Sequence, residues 1–236
     1  MLTVAIHQPQ YLPWLPYLDK AAAADVFVYL DCVQYQTNGV QNRNRIAMAG
    51  QPRWLTVPVH ASTEGTIATT RIAGNGWRRK HLETLRHAYA RAPERGLIPT
   101  GLAPHLEHED LAGLCIAVTE WMFDALGVRN RRLRASELAI DGRKEDLVLS
   151  ICAAVGADRY VSGEGARAYQ QPARFRQRGI ELVYHSYQGA PYAQAGAGEF
   201  LPDLSTLDLL LNHGAGAARV FAQGQRRLTC PTGEAL

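Results

Sequence analysis

Length, composition and charge describe an ordinary globular chain and exclude several classes of protein. The 236 residues are 47% hydrophobic and 20% charged, so the chain can bury a sizeable core. A formal charge of +3 is not the strongly basic balance typical of nucleic-acid binding. The first residues lack a signal-peptide pattern, no run approaches the roughly 20 apolar residues of a membrane span, and the four scattered cysteines indicate neither disulfides nor a metal site. We therefore expect a cytoplasmic protein.

The N-terminal region predicts a strand-helix-strand unit. Residues 2–6 form an apolar strand, and three prolines keep the next stretch irregular. Residues 17–24 are good helix formers, and residues 25–30 are the β-branched and aromatic types of a second strand. A unit of this size predicts a parallel pair with a right-handed crossover.

The rest of the chain alternates helices and strands. Residues 32–46 carry so many amide and guanidinium groups that we expect a polar segment outside the core. Further strands are predicted at 54–59, 66–72, 159–161 and 180–184, and helices at 77–91, 111–126, 146–155 and 204–211. The pattern predicts an α/β fold with a mostly parallel, Rossmann-like sheet flanked by helices and a helical C-terminal part. We expect one domain over residues 1–214 and a loosely ordered tail over residues 215–236.

Two residues at the ends of the first two predicted strands are candidates for acid–base chemistry. His7 follows the first strand and Asp31 the second, and ligands of parallel sheets gather beyond these carboxyl ends. A His/Asp pair there can deprotonate an ammonium nucleophile or a hydroxyl. Lys20, in the helix between the strands, lies either on the surface or in the same site. The alternative for His7 is structural, a hydrogen bond that holds the proline-rich loop.

Candidate ligand contacts come from three further segments. Asn42, Arg43 and Arg45 carry groups suited to a carboxylate or phosphate, although a solvated loop is the alternative. Ser162-Gly163 forms a strand-to-helix turn whose amides can hold an oxyanion, but it lacks the preceding glycine of a nucleophile elbow. Asp208 lies inside an apolar helix, where it either orients a site residue or bonds to the backbone.

Several motifs along the chain are similar to one protein family. They are His7-Gln8-Pro9-x-Tyr11-x-Pro13-Trp14, Asp31-x-Val33-Gln34-Tyr35, Gln41-Asn42-Arg43-Asn44-Arg45, Trp54-Leu55-Thr56-Val57-Pro58-Val59, Trp77-x-x-Lys80-His81, Tyr160-x-Ser162-Gly163, Tyr192-x-Gln194 and Leu204-Ser205-x-x-Asp208. On these motifs the chain resembles the WbqC-like family of bacterial α/β proteins over roughly residues 3–214. The His7 loop also has a distant likeness to HUP-type nucleotidyltransferases with an HxGH motif, although the glycine and the second histidine are missing.

The resemblance implies a transferase that forms an amide. An aminoacyl (glycyl-like) or other acyl group would pass to the amine of a sugar or small metabolite in polysaccharide or natural-product biosynthesis. The donor would be an aminoacyl-tRNA, a carrier-protein thioester or an acyl adenylate made from ATP. The alternatives are a nucleotidyltransferase or ATP-dependent amide ligase, and a non-catalytic ligand-binding protein. The family motifs also imply substrate contacts at Gln8, Tyr11, Trp14, Gln34, Tyr35, Asn38, Lys80, His81, Tyr192 and Gln194.

Overall fold

One large sheet with helices on both faces organises the fold. The computed structural model describes residues 1–60, 65–196 and 198–233. The strands are β1 (Thr3–His7), β2 (Val26–Tyr29), β3 (Arg43–Met48), β4 (Gln51–Thr56), β5 (Val59–His60), β6 (Arg71–Ile72), β7 (Arg131–Arg134), β8 (Arg159–Gly163), β9 (Glu181–Gln188) and β10 (Gln225–Thr229). The α-helices are α1 (Leu15–Ala22), α2 (Gly76–Ala88), α3 (Leu111–Leu126), α4 (Glu145–Val155), α5 (Pro172–Arg176), α6 (Thr206–His213) and α7 (Ala217–Ala222).

The main sheet has the order β10-β9-β8-β1-β2-β7. Every neighbouring pair is parallel except β9 and β10, which are antiparallel. The hairpins β3-β4 and β5-β6 form two separate small sheets. The predicted α/β fold with a mostly parallel, Rossmann-like sheet is thereby confirmed.

Alternate residues of the central strands face two apolar layers. Ala5, Phe27 and Val161 pack on the side of α1 and α3, whereas Val4 and Val26 pack on the side of α4 and α5. Both layers are apolar because a parallel strand covered on each face has no solvated side. No helix in the described part of the chain is both long and apolar enough to cross a membrane.

The predicted elements agree with the structure where apolar periodicity is strong. Helix α3 begins and ends as predicted, since Asp110 accepts the Gly113 amide at 2.7 Å and Gly127 takes the left-handed conformation (φ 73°). The strand predicted over residues 54–59 is divided, because Pro58 has no amide to donate. Within residues 66–72 only the last two residues form a strand.

The prediction of a loosely ordered tail is wrong for residues 217–229. Helix α7 buries Val220 and Phe221 against the core, and β10 pairs with β9 from Gln225↔Gln188 to Thr229↔Tyr184. The Gly/Ala/Arg-rich composition of this segment did not indicate that a few of its apolar residues pack against the core. The C-terminal segment therefore forms one edge of the main sheet.

Candidate functional site

The main sheet divides next to β1. Helix α1 leads from β1 to β2 on one face, whereas α4 and α5 lie on the other face and lead to β8 and β9. β1 stays paired with β2 as far as His7↔Tyr29, and β8 with β9 as far as Gly163↔His185. Between β1 and β8 the pairing ends earlier, at Ala5↔Val161. We call this opening the split, and it is the position where doubly wound sheets bind ligands.

Lys20 of α1 lies in the split. Its Nζ donates to the Ile6 carbonyl at 2.8 Å, the acceptor that the Gly163 amide would use if β1 and β8 stayed paired. The side chain is buried, and no carboxylate of the described residues forms an ion pair with it. Burial lowers the pKa of Lys20 to about 7. Neutral and protonated amine therefore coexist near neutral pH.

His7 ends β1 beside Lys20. Its ring packs edge-on against Tyr17 with the centroids 4.7 Å apart, and Nδ1 lies 3.2 Å from the Gln8 carbonyl. Burial, together with the nearby Lys20 and His185, lowers the pKa of His7 to about 3. The imidazole is neutral at neutral pH, so Nδ1–H donates to Gln8 and Nε2 remains an acceptor. Lys20 is consequently the better proton acceptor of the two.

Asp31 does not orient His7, contrary to the prediction. Its Oδ2 accepts from Arg134 Nε and Ser136 Oγ, each at 2.8 Å, and Oδ1 accepts from the Ser136 amide at 2.9 Å. Asp31 lies in a tight turn after β2, in which its amide donates to the Tyr29 carbonyl at 3.0 Å. β1 lies on the opposite side of β2, so Asp31 joins β2 to β7 instead.

The amide-rich segment of residues 32–46 is partly core, which corrects the expectation of a polar loop. Gln41 and Asn44 are buried. Gln41 Nε2 donates to Gln8 Oε1 at 2.8 Å, and Asn44 Nδ2 donates to the Leu12 carbonyl at 2.8 Å. Together with the Thr206 amide, which donates to the Pro13 carbonyl at 2.9 Å, these amides satisfy polar groups of the irregular proline-rich segment. They fix the wall of the split that follows His7.

The predicted arginine clamp lies on the β3-β4 hairpin rather than in a loop. The Arg43 guanidinium stacks 4.5 Å from the ring centre of Trp54, which is exposed, and donates to the Asn38 carbonyl. Arg45 donates to the Asp203 carbonyl at 3.0 Å and lies 3.8 Å from its carboxylate. Both side chains are half-buried and partnered within the protein, although Arg43 Nε is buried without a partner among the described residues. Their role as an anion clamp stays a prediction.

His81 and Tyr11, both predicted as ligand contacts, are hydrogen-bonded to each other inside the fold. His81 Nδ1 lies 3.1 Å from Tyr11 Oη, and Nε2 lies 3.0 Å from the Thr56 carbonyl. Burial lowers the pKa of His81 to about 4, so Tyr11 donates to Nδ1 and Nε2–H donates to Thr56. Neither nitrogen is left for a substrate. The neighbouring Lys80 is exposed.

The other predicted contacts differ in accessibility. At least partly exposed are Gln8, Trp14, Gln34, Asn38 and Gly163, whereas Tyr35, Asn42 and Ser162 are buried. Asn42 Nδ2 donates to the Val57 carbonyl at 2.8 Å, and its Oδ1 is buried without a partner among the described residues. Ser162 pairs in register with Tyr184 and faces the α4–α5 side, away from His7. Of this group, Gln8 and Gly163 adjoin the split.

Three predicted contacts from the C-terminal half form one cluster, the Asp208 cluster. Asp208 Oδ2 accepts from Tyr192 Oη at 2.9 Å and from Gln194 Nε2 at 2.8 Å. Burial raises the pKa of Asp208, and the hydrogen bonds from Gln194 and Tyr192 offset this only in part. The cluster holds the segment that precedes α6 onto that helix, and none of its hydrogen bonds reaches the split.

Sequence reasoning missed a second polar cluster, the Asp19 cluster, which lies beside the split. Asp19 Oδ2 is 2.7 Å from His185 Nε2, and the Asp19 carboxylate accepts both Nε (2.9 Å) and Nη2 (2.7 Å) of Arg226. Burial alone would raise the pKa of Asp19, but the hydrogen bonds from His185 and Arg226 outweigh it and lower that pKa. The carboxylate is therefore ionised at neutral pH. Its partners come from β9 and β10, far away in sequence.

An open cleft of about 550 Å³ lies on another side of the Asp19–Arg226 pair, lined among others by Gly127 and Asn130. Neither Lys20 nor His7 lines it, so the cleft and the titratable groups of the split are separate. No group of three or more potential metal ligands occurs among the described residues. The split holds the chemistry, and we place the candidate site there.

Fold and site together define a doubly wound α/β protein with a buried lysine at the point where its sheet divides. A model of the WbqC-like protein family matches residues 8–220, and the chain belongs to this family. The chain is 34% identical over 223 residues to the uncharacterized protein Rv1507c of Mycobacterium tuberculosis (strain ATCC 25618 / H37Rv), covering 92% of this chain and 96% of that protein. No solved structure matches the chain.

Proposed function

We propose that this protein is a transferase that forms an amide, passing an aminoacyl or other acyl group to the amine of a sugar or small metabolite. One observation carries the proposal: Lys20 is a buried amine with no acidic partner among the described residues, at the ligand-binding end of a doubly wound sheet. An amine substrate is protonated in water and must lose a proton before it can attack an acyl carbon. Lys20, with a pKa of about 7, is matched to accept that proton at neutral pH.

The groups around the split suggest a role for each in the transfer. The substrate nitrogen bonds to the acyl carbon, while the bond from that carbon to the donor's leaving oxygen or sulfur breaks. Neutral Lys20 first takes the ammonium proton and releases it to water. After the nitrogen attacks, Lys20 takes the second proton from that nitrogen and passes it to the leaving atom, so the lysine ends the cycle neutral. His7 Nε2 accepts a second N–H of the amine and orients it. The Gly163 amide, which points toward β1 but has lost Ile6 as its ladder partner, is the candidate donor to the oxyanion.

Lysine substitutions test the role of Lys20. Purified full-length protein is given an amino-sugar panel with three donors: glycyl-tRNA, a glycyl pantetheine thioester, or ATP with free glycine. Amide products are followed by mass spectrometry. We expect Lys20→Met to lower the rate by about 100-fold or more, the usual contribution of a general base. The matched control is Lys144→Met at an exposed lysine outside the predicted contacts, which keeps the wild-type rate. A Lys20→Met protein that folds and transfers as the wild type does would contradict the proposal.

The sheet order supports one second candidate, a nucleotidyltransferase or ATP-dependent amide ligase. The order β7-β2-β1-β8-β9 is that of doubly wound nucleotide-binding sheets, which bind nucleotides at the divide beside the first strand. Fold likeness alone does not fix a reaction. Release of pyrophosphate from ATP before any amine is added would favour this candidate, whereas transfer from a preformed thioester without ATP would exclude it. Tight amine binding without any product would favour a non-catalytic binding protein.

A further inference from the structure

We propose that His185 is a second acid–base group of the site, held in one tautomer by Asp19 and Arg226, with Nδ1 as its proton-transfer atom. The inference rests on the proposed function, because it adds a proton-transfer group beside Lys20. His185 would touch the substrate, whereas Asp19 and Arg226 are positioning residues. The C-terminal strand would then complete a site that the N-terminal half begins.

The sheet register places His185 at the split. His185 pairs with Gly163, and the alternation along β9 puts it on the same face as Val183, the face covered by α1. Consecutive residues of α1 then contact the two sides of the divided sheet. Asp19 contacts His185 on β9, and Lys20 contacts the Ile6 carbonyl on β1.

The Asp19 carboxylate selects the tautomer. An ionised carboxylate only accepts hydrogen bonds, so the 2.7 Å contact requires a proton on His185 Nε2. In the neutral ring, Nδ1 then holds the lone pair. Among the described residues no group forms a hydrogen bond with Nδ1. Nδ1 is also not one of the fully buried polar atoms that lack a hydrogen-bond partner. Nδ1 is therefore open to solvent or to a substrate although the residue as a whole is buried.

Arg226 keeps Asp19 charged and fixed. Its two hydrogen bonds engage both carboxylate oxygens, a planar fork that lysine cannot reproduce. The strand that carries Arg226 lies beyond the residues matched by the family model, which end at 220. The next residue, Arg227, alternates to the other face of β10 and provides a matched control.

The titratable and charged groups that face His185 come from four elements. They are Asp19 and Lys20 from α1, Arg226 from β10, His7 from β1 and Glu164 from the turn after β8. Among the described residues, Asp19 is the group hydrogen-bonded to the ring, and it is the counter-charge of the ring. Arg226 in turn neutralises Asp19.

Carbethoxylation by diethyl pyrocarbonate tests the proposal without a substrate, since the reagent attacks only an unprotonated ring nitrogen. The full-length protein is treated at a fixed pH of about 6, and the rate of His185 modification is quantified by peptide mass spectrometry. We expect His185 of the wild type to be modified. Asp19→Asn raises the rate, because loss of the counter-charge disfavours the protonated, unreactive ring. Arg226→Gln lowers the rate, and Arg227→Gln leaves it unchanged.

Two results would overturn the proposal. One is a native His185 that never reacts while the exposed His60 and His87 do, since Nδ1 would then be closed. The other is an unchanged modification rate in Arg226→Gln, the variant that decides if Asp19→Asn does not fold. The outcome is separable from the proposed function. Under that proposal Lys20→Met lowers transfer by about 100-fold or more but keeps the Asp19–His185 bond, so His185 is still modified there even if no transfer is ever found.

Discussion

Asp19 and Asp208 are both buried aspartates on helices, yet their pKa values move in opposite directions. Burial acts against ionisation at both sites. At Asp19 the hydrogen bonds from His185 and Arg226 outweigh burial and lower the pKa, whereas at Asp208 the neutral Gln194 and Tyr192 leave the pKa raised. The difference is the presence of a cation at hydrogen-bond distance.

The contrast distinguishes a site from a structural contact. A fixed charge next to His185 can govern proton transfer, because it stabilises one protonation state of the ring. The Asp208 cluster contains no cation hydrogen-bonded to the carboxylate among the described residues, and it joins two pieces of backbone. The family motifs contain the residues of the Asp208 cluster, whereas the Asp19 cluster lies outside every motif. Substitutions at the two clusters should therefore differ in size and in pH dependence.

The largest effect is expected for Asp19→Ala. Removing the carboxylate leaves the buried His185 ring and the Arg226 guanidinium without their acceptor. We expect the free energy of unfolding to fall by about 3 kcal/mol, measured by urea denaturation. The control is Asp124→Ala, which breaks an exposed pair with Arg129 and should cost about 1 kcal/mol or less. Equal losses of unfolding free energy in the two variants would show that the Asp19 cluster stabilises the fold no more than an ordinary surface ion pair does.

The next effect is expected where β10 begins. A Cβ on Gly224 would lie 2.0 Å from Tyr187 Oη, which donates to the Phe221 carbonyl at 2.7 Å. Gly224→Ala must displace that ring and should cost about 1–3 kcal/mol. Because the strand delivers Arg226, the rate of His185 modification by diethyl pyrocarbonate should also change. Gly216→Ala, with open space around the added carbon, is the control. A stable Gly224→Ala protein with an unchanged modification rate would mean that β10 tolerates the displacement.

The sequence predicted the central strands better than the edges of the sheet. The runs that became β1, β2, β8 and β9 are apolar because both of their faces are covered. The two edge strands β7 and β10 escaped prediction, since arginines make up most of one and two of five positions in the other. Their strand character comes from pairing with a neighbour, which local composition does not record.

The candidate site was predictable only on one side. His7 and Lys20 could be placed because a strand end and the helix after it are local in sequence. The orientation of Asp31 depends on a tight turn after β2, and no residue type in the sequence predicts that turn. The partners of Asp19 lie 166 and 207 residues away along the chain. Such contacts require the topology of the whole sheet, which a single sequence does not provide.

A smaller effect is expected at Tyr192. Tyr192→Phe removes one of two donors to Asp208 Oδ2 and keeps the packing of the ring against Phe200. We expect a loss of about 1 kcal/mol in the free energy of unfolding, the net value of a typical hydrogen bond. Tyr169→Phe, at an exposed tyrosine, should change nothing measurable. A loss as large as that of Asp19→Ala would place a charge on Asp208 and remove the contrast between the two clusters.

The smallest change at neutral pH is expected for Asp208→Asn, where the sign of the pH dependence is the informative quantity. An amide oxygen can still accept from Tyr192, so the change at pH 7 should stay within about 1 kcal/mol. The raised pKa means that folded Asp208 keeps a proton that the unfolded chain loses near the ordinary value of 3.8. Its contribution to stability therefore falls as the pH rises above 3.8, and the Asp208→Asn variant gains on the wild type over that range.

Asp19→Asn should show the opposite slope. The folded pKa of Asp19 is lowered, so its carboxylate adds stability above 3.8, and that stability is lost as the pH falls through the folded value. Asp19→Asn should be less stable than the wild type at neutral pH, and this loss of stability should therefore shrink in acid. Any stability that Asp208→Asn gains over the wild type should also shrink in acid, because it exists only at higher pH. Urea denaturation of the three proteins between pH 3 and pH 8 measures both differences. If the two variants differ in stability from the wild type with the same sign, both aspartates are ionised alike. The cation beside Asp19 would then not explain the difference between the two clusters.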